Sequence, residues 1–200
     1  LNRNLNNVKI IDCSWHMPQT KRIGIEEYKN LHIPNAIFFD LDVNSKKDTN
    51  LPHMLVSMTQ WEKIVSKMGI EKNDEIVVYD NSDVISSCRC WFNFIYFGHP
   101  PKLIHVLNGG LKKWIEEKRV ITKDQTFFDT SEYKSCEKKE LVKNKKSIDQ
   151  NINEQKFKVI DARSKERFEG KVQEPRKGLR SGSIKNSFCI PFDQCLNEDK

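Results

Sequence analysis

At 200 residues, with 37% hydrophobic and 31% charged side chains, the chain has the composition of a globular protein with a well-solvated surface. Its longest apolar runs, "EIVVYD" and "WFNFIYF", fall far short of the roughly 20 apolar residues a membrane-spanning helix needs, and "LNRNLNNVKIID" lacks the apolar centre of a signal peptide. We therefore expect no membrane partner and a cytoplasmic location. The formal net charge of +6 owes much to Lys134–Lys146, with six Lys against two Glu and no aromatic to stack a base. That run reads as a solvated connector, and no nucleic-acid partner is expected.

In chain order, "VKIID" (8–12) and "AIFF" (36–39) have β character. In "SMTQWEKIVSKMGI", Trp61, Ile64, Val65 and Met68 share one helical face, with a start signal at Ser57/Gln60 or Thr59/Glu62. "EIVVYD" (75–80) reads as a strand, and "SSCRCWFNFIYFG" (86–98) as a helix apolar nearly all round and closed by Gly98. "KLIHVL" (102–107) reads as a strand, and "LKKWIEE" (111–117) as a helix after the "NGG" turn. Alternating strands and helices predict an α/β fold with a parallel sheet covered on both faces.

The pattern then restarts. "VIDARS" (159–164) repeats "IIDCSW" (10–15) at an offset of 149, and "SIKNS" (183–187) repeats "HIPNA" (32–36) at 151. Two matches in the same order at nearly one offset predict two tandem copies of one domain, the second truncated. We place the first domain at 1–122, a connector at 123–150 and the start of the second domain at 151–200. Early strands of a cut-off sheet should expose apolar faces and unpaired edges.

Nucleotide-cradling glycine motifs, zinc-binding His/Cys spacings and the G-x-S-x-G elbow are absent from the sequence. We expect no cofactor and no metal. The six cysteines, Cys13, Cys88, Cys90, Cys136, Cys189 and Cys195, contain no C-x-x-C pair and read as reduced, mainly buried thiols. The remaining candidates lie at strand ends, where open parallel sheets place their sites. Asp42 and His53 bracket one loop and suit proton transfer, although His53 also reads as a loop cap. Arg167 and Arg176 share a Gly/Pro-rich loop and suit a grip on a carboxylate, although surface ion pairs are the other reading. Arg163, in "DAR", reads as pairing with Asp161 or a neighbouring acid rather than as a substrate contact.

"HIPNAIFFDLD", "LPHML", "VVYDNS", "RCWFNFIYFGHPPKLIHVLNGGLKKW", "VIDARSKERFEG" and "EPRKGLRSG" together resemble the tandem-rhodanese sulfurtransferases. The resemblance runs from about Ile10 to Phe192. It implies a catalytically silent first domain and a second whose cysteine, after its fourth strand, carries sulfur as a persulfide. Asp80 stands at that place in the first copy, and the repeat offset puts the cysteine near position 230, past Lys200. Asp42 and His53 match the acid and histidine of the mercaptopyruvate branch, and Arg167 and Arg176 match its two substrate arginines. Ser183 and Lys185 depart from the family's second "GHIPGA".

The implied function is transfer of sulfur from 3-mercaptopyruvate to a thiol or cyanide, with thioredoxin among the acceptors and a mitochondrial location as the alternative. The 1–200 chain alone is expected to be inactive. Thiosulfate:cyanide sulfurtransferase and a non-catalytic rhodanese-like binding module are the competing functions.

Overall fold

The computed structural model describes residues 8–176 and 178–197. They fall into two compact units, the first ending at Leu141 and the second beginning at Val142. In the first unit, β1 (Val8–Asp12), β2 (Ala36–Phe38), β3 (Glu75–Tyr79) and β4 (Ile104–Val106) form a parallel sheet in the order β2-β1-β3-β4. Between them run α1 (Gly24–Asn30), α2 (Met58–Lys67) and α3 (Ser86–Tyr96), and α4 (Gly110–Glu116) follows β4.

Successive side chains of a strand face opposite ways, and the sheet uses both faces. Ile11, Ile76 and Val78 join Trp61, Val65, Phe94 and Phe97 of the α2/α3 layer. Ile10 and Tyr79 join Tyr28, Leu111 and Trp114 of the α1/α4 layer. Trp61 is fully buried, stacked on Phe97 at 4.8 Å and edge-on to Phe94 at 5.0 Å. The expected elements are present, with ends shifted by up to two residues. Of the two start signals for α2, Ser57 is the one used: its Oγ accepts from Gln60 N at 3.3 Å while the Gln60 side chain accepts from Ser57 N at 3.2 Å. Gly98 ends α3 at φ +78°, where a Cβ would sit 2.6 Å from the Cys136 carbonyl oxygen.

The first unit reaches past the boundary expected at 122. Residues 131–138 dock on α2 and the end of α3: Ser131 N donates to Ser66 O (3.0 Å), Cys136 N to Phe97 O (3.1 Å) and Lys138 N to Tyr96 O (2.8 Å). Tyr133 anchors this segment, 1% exposed, with its hydroxyl 3.2 Å from His99 Nδ1. One buried aromatic outweighs the polar composition of its surroundings.

The second unit holds α5 (Lys145–Glu154), β5 (Val159–Asp161), α6 (Lys165–Phe168) and β6 (Ser187–Cys189). Asn144 caps α5 by accepting from Ser147 N at 2.9 Å. Buried Asn151 bonds both the N–H and the carbonyl of Phe157, at 3.0 and 2.7 Å, and so fixes the chain's entry to β5. The parallel pair β5–β6 has the register Val159↔Ser187, Ile160↔Phe188, Asp161↔Cys189, the counterpart of Ile10↔Ala36, Ile11↔Ile37, Asp12↔Phe38 in β1–β2. Asn35 and Asn186 precede β2 and β6 at φ +63° and +64°. Ile160 and Phe188 are more than half exposed. Cys189, read with the other cysteines as mainly buried, is half-buried: among the described residues β5 and β6 form a sheet of two strands.

Candidate functional site

The polar residues of the first unit gather where β1, β2 and β3 end. Asp80 follows β3 and is buried. Its carboxylate accepts from Ser82 N (3.1 Å) and Ser87 N (2.6 Å), and its carbonyl accepts from Leu111 N (2.9 Å). Gly110 permits that approach, since a Cβ there would lie 2.4 Å from the Asp80 carbonyl oxygen. Two further N–H groups of this turn are drawn inward: Asn81 N donates to Ser14 Oγ (2.9 Å) and Val84 N to Ser82 Oγ (3.3 Å). Donors bonded to the loop's own carboxylate and serines are not available to an external anion.

Asp42 and His53 come together. Asp42 Oδ1 lies 2.7 Å from His53 Nε2, and its Oδ2 accepts from Trp15 Nε1 at 3.0 Å. The imidazole side chain is 19% exposed and the carboxylate 67%. The Trp15 and His53 rings meet edge-on at 4.8 Å, and Arg89 Nη2 donates to the His53 carbonyl. Beside them Glu27 accepts from Arg22 Nε (2.7 Å) and Asn81 Nδ2 (3.1 Å) and lies 3.2 Å from His16 Nε2. Despite the cost of partial burial, Arg22 and His16 hold the Glu27 carboxyl below its usual range. Asp12 behaves oppositely: burial pushes its carboxyl up, against the hydrogen bonds from Ser14.

In the second unit the arginines differ. Arg163 Nε is 2.9 Å from Asp161 Oδ1, its Nη1 is 2.7 Å from Glu174 Oε1, and its Nη2 donates to the Gly182 carbonyl at 2.8 Å. Arg167 shares the same Glu174, through Nε at 3.3 Å and through Nη2. Arg176 is exposed, and among the described residues no ion pair engages it. The structure therefore ties Arg167 into a network and leaves Arg176 outside it, although one loop carries both. The hydrogen bonds from Arg163 hold Asp161 below the usual carboxylate range, and Arg167, then Arg163, do the same for Glu174.

Three of the thiols, Cys13, Cys88 and Cys189, are shifted away from the thiolate. Burial raises Cys13 well above its usual range and raises Cys88, and desolvation with Asp161 and Glu169 raises Cys189. Among the described residues no group of three or more His, Cys, Asp or Glu is arranged to hold a metal, and no helix is long and apolar enough to cross a membrane. Trp15, Arg89 and Glu174 were not picked out from the sequence. All three stand within quoted motifs, "IIDCSW", "SSCRCWFNFIYFG" and "EPRKGLRSG", but the partners of Trp15 and Arg89 are far away in sequence and those of Glu174 are seven and eleven residues off, at no regular spacing.

A parallel α/β sheet with acid, imidazole and buried polar groups at its strand ends defines a domain of the enzyme-forming α/β class. The family model for the rhodanese-like domain matches residues 1–117, and the chain belongs to that family. It is 38% identical to thiosulfate/3-mercaptopyruvate sulfurtransferase 1, mitochondrial, of Arabidopsis thaliana, over 96% of this chain and 55% of that protein. It is 31% identical to 3-mercaptopyruvate sulfurtransferase of Mus musculus, over 98% of this chain and 66% of that protein. The crystal structure of SseA, a 3-mercaptopyruvate sulfotransferase from Escherichia coli, superposes with a TM-score of 0.87 at 27% identity, covering 98% of this chain and 73% of SseA. The chain thus spans a little over half to two thirds of the length of these curated relatives.

Proposed function

We propose that this chain serves a sulfurtransferase that takes sulfur from 3-mercaptopyruvate and passes it to a thiol or cyanide through a cysteine persulfide. The observation that carries the reading is the 2.7 Å Asp42–His53 pair, an acid–base couple at the strand ends of a rhodanese-like domain. A cysteine thiolate attacks the donor sulfur, the carbon–sulfur bond breaks, and its electron pair leaves as the enolate of pyruvate, which takes a proton at carbon. An acceptor thiolate then removes the outer sulfur. His53 moves the protons, and Asp42 balances the charge on the imidazolium. Arg167 and Arg176 are the groups for the donor's carboxylate, Arg167 preset by Glu174 and Arg176 with its guanidinium uncommitted among the described residues.

The matching registers of β1–β2 and β5–β6 support reading the second unit as the opening of a second rhodanese-like copy. The raised Cys13, Cys88 and Cys189 speak against these three as the nucleophile, and the repeat offset of about 150 from Asp80 supports placing it near position 230. A cytoplasmic location remains our reading, and the name of the Arabidopsis relative supports the mitochondrial alternative.

The test is sulfide release with a thiol acceptor, run on this chain and on a polypeptide extended through the loop after the second unit's fourth strand. The extended form should turn over 3-mercaptopyruvate faster than thiosulfate, and the 200-residue chain should turn over neither. Turnover by the short chain, abolished by Cys189→Ser or Cys195→Ser, would place the nucleophile here instead. Faster use of thiosulfate would reverse the choice of donor.

A further inference from the structure

Asp42 divides its carboxylate between two donors, with Oδ1 2.7 Å from His53 Nε2 and Oδ2 3.0 Å from Trp15 Nε1. An ionised carboxylate only accepts, so the bond to the imidazole needs the proton on Nε2. The neutral ring then keeps its lone pair on Nδ1. Trp15 fixes which carboxylate oxygen is left for the histidine, and its ring, 4.8 Å from the imidazole, fills the space on one side of it. Trp15 is itself held by the turn after β3 and the first residue of α3: its backbone N–H donates to Ser86 Oγ at 3.1 Å and its carbonyl accepts from Ser82 Oγ.

Arg89, on α3, secures the other end of the histidine. His53 has φ +55°, a backbone conformation unfavourable for a residue with a side chain, and Arg89 Nη2 donates to its carbonyl. The same guanidinium carries a buried Nε with no partner among the described residues. A buried donor left unpaired is unfavourable, so the placement of Arg89 is imposed by what its far end holds.

We propose that Trp15 and Arg89 are positioning residues that keep His53 in its Nε2–H tautomer and leave Nδ1 as the atom that accepts the proton of a thiol. The role rests on the reading of His53 as the proton-transfer group. In the step itself the thiol's S–H bond breaks, its electron pair stays on sulfur as thiolate, and the proton joins Nδ1 to give an imidazolium beside the Asp42 carboxylate.

The test reads the tautomer directly and involves no sulfur chemistry, so a failed sulfide-release assay leaves it readable. In the 200-residue chain labelled with 15N-histidine, long-range 1H–15N spectra at about pH 8.5, two units above the usual histidine pKa, show which ring nitrogen is protonated. His53 should show a protonated Nε2 and a bare Nδ1. Trp15→Phe keeps an aromatic ring but removes the donor, and Arg89→Met removes the guanidinium. Each should bring the two nitrogen resonances toward each other, the mark of mixed tautomers. Arg89→Lys, which retains a donor, should restore the original pattern.

His99, held between Tyr133 and the Asp74 carbonyl at 3.2 and 3.0 Å, reports on the fold. If Trp15→Phe also disturbs His99, Asp42→Ala at the exposed carboxylate supplies the second measurement. It should shift the Trp15 indole N–H resonance and speed its exchange, while the Trp114 indole, bonded to the Val120 carbonyl at 2.8 Å, stays put. A His53 protonated on Nδ1, an unchanged tautomer in both Trp15→Phe and Arg89→Met, or an unmoved Trp15 indole in Asp42→Ala overturns the proposal.

Discussion

Ile11 and Ile160 hold matching places, each the middle of three residues paired in parallel with the next strand, yet Ile11 is fully buried and Ile160 is 57% exposed. The aspartates that follow them diverge as well. Asp12 is sealed in by the sheet and its helices, and burial pushes its carboxyl up. Asp161 sits beside Arg163, whose hydrogen bonds pull its carboxyl down. The same strand–helix–strand path is thus stabilised in two ways, by a covered apolar core in one unit and by a carboxylate–guanidinium network in the other. Backbone pattern and pairing register survive this change of surroundings; the chemistry of the strand-end acid does not.

The largest test of this contrast is truncation at the matched isoleucines. Ile11→Ala should cost about 2–5 kcal/mol, as a cavity in a close-packed core does, whereas Ile160→Ala should stay within about 0.5 kcal/mol. Denaturant midpoints of the two variants check this, and equal losses would mean that Ile160 is covered in solution. Next in size, Asp161→Asn strips Arg163 of its main partner and should loosen the β5–β6 pair by about 1 kcal/mol, the discounted value for a partly exposed network. Asp12→Asn removes a charge the interior disfavours and should leave the first unit as stable or more stable at neutral pH. Amide exchange in each strand pair reads the difference.

A pH titration gives a smaller effect of opposite sign in the two units. The folded-state pKa of Asp12 lies above its unfolded value, so ionisation weakens the first unit and acidification through the raised value relieves it. Asp161 and Glu174 have lowered values. Their support is complete above the ordinary carboxylate range, about 4, and is lost as pH falls through the lowered values. Amides of Val159–Asp161 should therefore lose protection on acidification before those of Val8–Asp12, once intrinsic exchange rates are divided out. The reverse order would contradict the assignment of the network as the second unit's support.

How legible each region was follows from the same physics. The first unit's strands and α2 and α3 could be read because their apolar residues repeat at strand or helix period and end in caps such as Ser57 and Gly98. "GIEEYKN", "KKSIDQNINE" and "KERF" passed unnoticed, since α1 and α6 are short and α5 is polar, anchored by Asn151 rather than by an apolar stripe. The Lys-rich stretch concealed a docked segment because its anchor is the single residue Tyr133. At the candidate site, Asp42 and His53 were visible as a bracketed loop. Trp15 was not, because its bond to Asp42 spans 27 residues and exists only once β1 and β2 lie side by side.

The most direct measurement for the proposed function is the steady-state kinetics of Arg176→Ala in whichever longer polypeptide the sulfide-release assay finds active. Loss of one charge-assisted contact to the donor's carboxylate should raise KM for 3-mercaptopyruvate roughly 10- to 150-fold, the equivalent of about 1.5–3 kcal/mol, with kcat changed far less. Unaltered KM in Arg176→Ala would take the exposed arginine out of the site and contradict the reading of this chain as a mercaptopyruvate-using sulfurtransferase.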